Sequence, residues 1–515
     1  MASVWIRSKK TLQVFILLFV FGCGRSNSPV GPEVVELDPV GPLGPAYRSL
    51  WTKWVKVDAA QIPETTGLEV CAAEDAGLSA NACVNGGLVR KVKVPSLTNC
   101  SDVQTVADNL GAFKWECSPA SDGSGLWIFS TGFLKDKGLG DLIEDAANSV
   151  WKELSVRIQT ANKLYVTKPV RAWIDVLTRA PDTSSGRKEL NRFETLYYID
   201  SDTSGHGFTI AANNIGLVVL KDAKYTFTSD GWGPVVEGVD RKFVYLEGSF
   251  DGNETAIRVV DFRGDSAFLF INGLVATRGT SDGVYIGGEA YNLHVGNLKS
   301  SNNGVFGFKR EGTGDYLELS FVETVGNGNI GFEIQGIDSV KRVSKVKIAD
   351  LTSEGNRNGA SLTNVDGVTV INVIFVNNER DGVFLRTASN VEVTDFKAFG
   401  QAIGIFIDDE CTNVKFANVS ITNRGELEDY AIFFEATASD AEFSNVLIKQ
   451  VADDAVTMQG GAKANFTGIS FEHVQGYLFS AVDGGRIDVY DLSYGAGVDP
   501  SKISFTNNGG QVVIH

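Results

Sequence analysis

Gly382-Val-Phe-Leu-Arg-Thr-Ala-Ser-Asn-Val-Glu-Val-Thr-Asp-Phe-Lys-Ala-Phe399 is followed, one short turn later, by Gly404-Ile-Phe-Ile-Asp-Asp-Glu-Cys-Thr-Asn-Val-Lys-Phe-Ala-Asn-Val-Ser-Ile421. Laid over one another, both read glycine, apolar-x-apolar, a polar turn, then apolar-x-apolar-x-x-apolar-x-apolar. The opening beat returns at Gly283-Val-Tyr-Ile, Gly331-Phe-Glu-Ile, Gly359-Ala-Ser-Leu, Ala431-Ile-Phe-Phe, Ala455-Val-Thr-Met and Leu478-Phe-Ser-Ala. The second beat starts at Val368, Val391, Val414, Ala441, Ala464 and Ile487, which lie 23, 23, 27, 23 and 23 residues apart. Alternation of period two marks strands, and a repeat of this length marks stacked supersecondary units. The repeats carry Val, Ile, Phe and Asn, lack Leu at fixed places, and leave no room for a helix, which excludes a leucine-rich solenoid. The unit is one coil of a parallel β-helix, and the class is mainly β.

A solenoid also accommodates the length. The 515 residues exceed the roughly 250–300 at which a single globular core stops growing, but a solenoid core lengthens with every coil. The 56 Gly and 31 Phe beside 2 Met fit many short strands and turns. A formal charge of -17 and a pI near 4.8 exclude nucleic acid as a partner reached by bulk electrostatics. Uronic-acid polymers would need local basic residues or a bridging cation.

Ahead of the repeats the composition changes twice. Arg7, Lys9 and Lys10, then the apolar run Val14 to Phe21, read as a signal peptide over residues 1–22. The ending Val20-Phe21-Gly22-Cys23 resembles a bacterial lipobox, which implies lipidation of Cys23. Gly24 after it implies an outer-membrane lipoprotein in the cell envelope. Residues 23–48, with Pro29, Pro32, Pro39, Pro42 and Pro45, read as a flexible tether. Residues 49–160 hold Cys71, Cys83, Cys100 and Cys117, expected as two disulfides of a small α/β region. Local pairs, 71 with 83 and 100 with 117, are preferred because each closes a short loop. Zinc is disfavoured by the lack of any Cys-x-x-Cys among them. The stripe Leu142, Ile143, Ala146, Ala147, Val150, Trp151, Leu154 predicts an amphipathic helix capped by Asp141, placed to cover the first coil of a β-helix over 161–515.

Along each glycine-opened strand the inward and outward positions follow from alternation. The outward places form two ladders, with adjacent coils ~4.8 Å apart. One runs Glu333, Ser361, Phe384, Phe406, Phe433, Thr457, Ser480; the other runs Gln335, Thr363, Arg386, Asp408, Glu435, Gln459, Val482. Phe384, Phe406 and Phe433 form an apolar patch of a kind seldom left bare. Either the longer insert at Asn423 to Asp429 folds over them, or they are a platform for sugar rings or a partner. Beside them Arg386, Asp408 and Glu435 stack, with Asp381, Asp409, Glu410, Asp453 and Asp454 at strand ends. Carboxylates one coil apart approach the ~5–5.5 Å of retaining glycosidases, and two coils apart reach the top of the inverting range. Such a cluster wants Arg386, a shared proton, or Ca²⁺ at Asp408, Asp409 and Glu435. Cys411 reads as a lone buried thiol, and His206, His294, His473 and His515 are scattered.

Coil text such as Asn390-Val-Glu-Val, Asn413-Val-Lys-Phe and Asp381-Gly-Val-Phe-Leu resembles the pectate-lyase-like superfamily of right-handed parallel β-helices over roughly Leu196 to the end. The resemblance implies that fold. Within it, Ala452-Asp453-Asp454-Ala455-Val456-Thr457-Met458 is similar to the Gly-Asp-Asp-x-Ile-Ala-Ile strand of polygalacturonases, where the Asp pair does acid and nucleophile-activating work. The companion motifs are replaced by Glu428-Asp429-Tyr430 and Gln475-Gly476-Tyr477. Two main readings therefore stand. One is a surface β-helix that binds extended polysaccharide or another surface polymer on the Phe ladder. The other is a polysaccharide hydrolase or lyase using Asp408, Glu435, Asp453 and Asp454, with Arg386 or Arg380 as base or clamp. An architectural envelope protein is the third.

Overall fold

A computed structural model describes residues 33–37, 91–94, 97–108, 113–119, 123, 125–133, 151–154, 156–161, 163–167, 170–173, 176–192, 195–211, 215–228, 233–236, 243–263, 268–290, 293–426, 429–435 and 440–515. From Val176–Arg179 to Gln511–Ile514 every strand joins one continuous 30-stranded sheet system in chain order. Each strand also pairs in parallel with its counterpart on the next coil. This is a parallel β-helix.

Each coil carries a short strand opened by the glycine, such as Asp381–Arg386 or Ile403–Asp408, and a long one, such as Ser389–Phe399 or Thr412–Thr422. The short strands form one face, called here the site sheet. The long strands are bent in the middle, and the sequence marks the bend. In the two x places between the apolar pairs, Asn372, Asp395, Asn418, Asn445, Gly468 and Asp491 have φ between 53° and 69°. That left-handed conformation suits Asn, Asp and Gly, whose side chains are absent or bond locally. The column continues upward through Asp350, Phe321, Asn297 and Gly273. Phe321, at φ 54°, is the bulky exception, a position that costs a non-glycine residue about 1–2 kcal/mol. Amides link the column from outside, with Asn418 Nδ2 donating to Asp395 Oδ1 at 2.9 Å and Asn445 Nδ2 to Asn418 Oδ1 at 3.2 Å.

Inside, like residues stack on like. Phe396, Phe416, Phe443 and Phe466 follow one another with ring centroids 5.7, 5.2 and 4.7 Å apart, all buried. Each buried ring contributes about 1.5–3 kcal/mol. A second inner column sits at the turn into the site sheet. Asn303 Nδ2 donates to Asn327 Oδ1 at 2.8 Å, Asn327 Nδ2 to Asn356 Oδ1 at 3.0 Å, and Asn356 Nδ2 to Asn378 Oδ1 at 3.3 Å. These amides satisfy one another and neighbouring backbone where water does not reach.

The region before Val176 is built of small sheets. Lys91–Val94, Leu126–Phe133 and Phe113–Pro119 form one. Val103–Asp108, Val156–Thr160 and Lys163–Thr167 form another, joined in parallel by Glu33–Leu37 from within the expected tether. Val94, Leu126, Ile128 and Ile158 make its core, and Cys100 is bonded to Cys117 with Cα atoms 5.8 Å apart. The predicted helix is corrected where it is described. Trp151–Leu154 is a strand, antiparallel to Val170–Trp173 with Trp151 opposite Trp173, and no α-helix occurs among the described residues. Strand pairing outweighs helical periodicity there. Residues 1–32, Cys71, Cys83 and 141–150 lie outside the described residues, and with them the signal, Cys23 and the rest of that stripe. Among the described residues no helix is long and apolar enough to cross a membrane.

Candidate functional site

The site sheet turns its alternate residues outward in strict register. Phe384 lies opposite Phe406 and Phe406 opposite Phe433, while Arg386, Asp408 and Glu435 occupy the places two residues on. Both ladders read from the sequence therefore exist. The three rings are half-buried, with successive centroids 5.2 and 5.3 Å apart and planes at 74° and 69°, the edge-to-face arrangement aromatic pairs prefer. Tyr430 adds a fourth ring, 5.1 Å from Phe433. The described residues of the insert before it bond to one another and to the coil below. Buried Asp429 accepts from Glu426 N at 2.9 Å, and Asn423 Nδ2 donates to Ala402 O at 2.9 Å and Tyr430 O at 2.8 Å.

Just past three of the site strands the backbone enters the left-handed region, at Thr387, Asp409 and Gly460. That twist sends the Asp409 carboxylate back toward Arg386, whose Nε lies 2.8 Å from Asp409 Oδ2 and 3.2 Å from Asp408 Oδ2. The Asp409 bond raises the Arg386 pKa, and burial pushes Asp408 above the usual carboxylate range. Of the partners open to this cluster, the structure shows Arg386. Among the described residues no three His, Cys, Asp or Glu stand together for an ion, and the guanidinium already engages Asp408 and Asp409.

Asp453 and Asp454 stand elsewhere. Glu435 pairs with Gln459 at the trailing end of its strand, and Asp454 lies beyond the other end of that strand, which begins at Val456. Asp454 instead holds the next coil, accepting from Tyr477 N at 2.7 Å, while Asp453 Oδ1 accepts from Asp454 N at 2.9 Å. Burial raises Asp454. Asp381, at the leading end of the strand bearing Phe384, is buried with no hydrogen-bond partner for Oδ1, and burial lifts its pKa to about 6. Cys411 is fully buried, its thiol pushed up to about 11, so it is no nucleophile.

Sequence reading followed this ladder toward the N-terminus only as far as Glu333. The Phe ladder continues toward the N-terminus through Ser361, Glu333, Lys309, Tyr285 and Asp261. Lys309 Nζ lies 3.3 Å from Oε2 of both Glu311 and Glu333. Tyr285 Oη donates to Glu311 Oε2 at 3.1 Å, and the Arg258 guanidinium lies 3.4 Å from the Tyr285 ring centroid. Arg258 also pairs with Asp261 at 3.0 Å and Asp282 at 2.9 Å. The signal was hidden by Arg310. It takes an inward place between Ile286 and Ile334, so Gly307-Phe308-Lys309-Arg310 breaks the apolar-x-apolar rule. Only 1% exposed, Arg310 donates to the carbonyls of Ile286, Glu311 and Thr313, which makes its burial tolerable.

Residues 260–448 match a family model described as right handed beta helix region. No curated protein matches the chain. Among solved structures the chain is similar to the catalytic domain of a GH87 alpha-1,3-glucanase in complex with tetrasaccharides, at 11% identity over 82% of this chain and 90% of that one. The TM-score is 0.28, and nothing about activity is transferred at that level. The parallel coils agree with the right-handed β-helix that the family model describes over residues 260–448.

Proposed function

We propose that this protein binds extended, neutral polysaccharide along the outer face of the site sheet, with Phe384, Phe406 and Phe433 as the platform. The partly exposed ring ladder, one ring per coil, carries the reading. Rings stack on the C–H faces of sugars, and the coil spacing repeats along the axis as sugars repeat along a chain. Arg386, Asp408, Asp409 and Glu435 line the platform with groups that hydrogen-bond hydroxyls. A net charge of -17 disfavours polyanionic chains. Lipidation of Cys23 would hold the body at the outer membrane, facing its polymer.

The test is binding of the full-length protein to neutral glucans, xylan and mannan by calorimetry, with Phe406→Ala as the variant. Losing the central ring should weaken Kd by five- to thirtyfold, about 1–2 kcal/mol, with the thermal midpoint of the solenoid retained. Unchanged affinity in a folded Phe406→Ala protein would remove the platform.

A further inference from the structure

We infer that Glu333 and Glu311 form a hydrolytic centre for a glycosidic bond, placed on the same face as the Phe platform and separated from it by the coil of Ser361. This inference rests on polymer binding at the platform and adds turnover to it. Glu333 is 7% exposed, whereas the Glu311 side chain is 43% exposed. Both carboxylates lie 3.3 Å from one ammonium nitrogen, Lys309 Nζ, so the two oxygens stand no more than twice that distance apart. That limit leaves out all but the foot of the inverting range and keeps the pair within reach of double displacement, whose carboxyls stand ~5–5.5 Å apart. The pair is one buried acid and one wet carboxylate, environments that split two roles between two like groups. Ser361 and then Phe384 follow Glu333 on the ladder, so a chain lying on the rings runs onto the pair.

Burial pushes Glu333 up against the pull of Lys309, which suits a proton donor. The basic candidates for an elimination are held protonated. Burial works against the charge on Lys309, but Glu333 and Glu311 outweigh it and raise its pKa; burial and Glu311 raise Tyr285. Hydrolysis is therefore favoured over β-elimination. In the first half-reaction the Glu311 carboxylate bonds to the anomeric carbon as the glycosidic C–O bond breaks. The electron pair leaves with the glycosidic oxygen, which takes the proton of Glu333. In the second, water gives a proton to Glu333 and its oxygen to the anomeric carbon, and the ester to Glu311 breaks. One water is consumed and nothing is oxidised or reduced. Lys309 is a positioning residue that holds the two carboxylates apart.

The experiment incubates full-length protein with the neutral glucans, xylan and mannan used for binding and measures new reducing ends and product mass. Expected is cleavage of a bound polymer, a loss of 100-fold or more in Glu333→Gln and in Glu311→Gln, and Kd within twofold of wild type. Glu311→Ala with azide should then yield a glycosyl azide. Glu311 is exposed enough that its Gln variant folds even if Glu333→Gln does not. Binding without new reducing ends in wild type overturns this centre and leaves the platform standing, as does cleavage that survives both Gln variants. Absence of binding to every polymer overturns both.

Discussion

Asp381 offers a pH test of the platform's foundation. It lies at the leading end of the strand that carries Phe384, buried, with Oδ1 unpartnered and Arg380 and Arg357 only partly offsetting burial. Its pKa is about 6 in the folded protein against 3.8 for an ordinary aspartate. The folded state thus binds the proton more tightly than the unfolded chain. Stability from this group is fully present below pH ~4, falls as pH rises through 6, and is gone above it. At 1.36 kcal/mol per pKa unit, the difference amounts to about 3 kcal/mol between acid and neutral pH. Asp381→Asn cannot ionise, so any offset it introduces is the same at every pH. Because long repeat arrays open locally, the assay is hydrogen exchange of the coil around residues 378–399, with urea midpoints alongside, at pH 4, 5, 6 and 7. The gap between variant and wild type should move by about 3 kcal/mol in favour of Asn from the lowest to the highest pH. A gap that stays constant, or moves toward wild type, would refute the argument that burial governs this carboxyl.

Two further outcomes are expected. Asn327→Ala removes an acceptor used by Asn303 and a donor to Asn356 and to Ser300 O. It should cost about 2–4 kcal/mol and speed exchange in the coils from 300 to 357 first, as measured by mass spectrometry; uniform loss along the solenoid would contradict a local ladder. Cys23→Ser should shift the protein from the detergent phase to the aqueous phase on Triton X-114 partition, and a wild-type protein already in the aqueous phase would rule out the anchor.

The ladders were legible because a strand alternates and a coil repeats. Once Gly382 and Gly404 are aligned, Phe384 must fall over Phe406 and Arg386 beside Asp408. The double x in the second beat was legible as spacing, but its meaning, a left-handed residue that bends the long strand, needed backbone angles. Arg310 hid the Lys309 coil because a buried, carbonyl-bound guanidinium cannot be told from a surface one by residue type. The stripe ending at Leu154 shows the same limit. Periodicity records which residues want burial, while the pairing of Trp151–Leu154 with Val170–Trp173 decides in what form.

By itself, the sequence determined the parallel β-helix, the register of its coils and which residues of the site sheet point away from the core, since all three follow from period and polarity along a single strand. Tertiary structure decided the rest. It set Asp453 and Asp454 a strand's length from Glu435, drew Asp409 back onto Arg386, and brought Glu311 and Glu333 to one ammonium. Those are distances between coils and across a strand, fixed by how the solenoid winds.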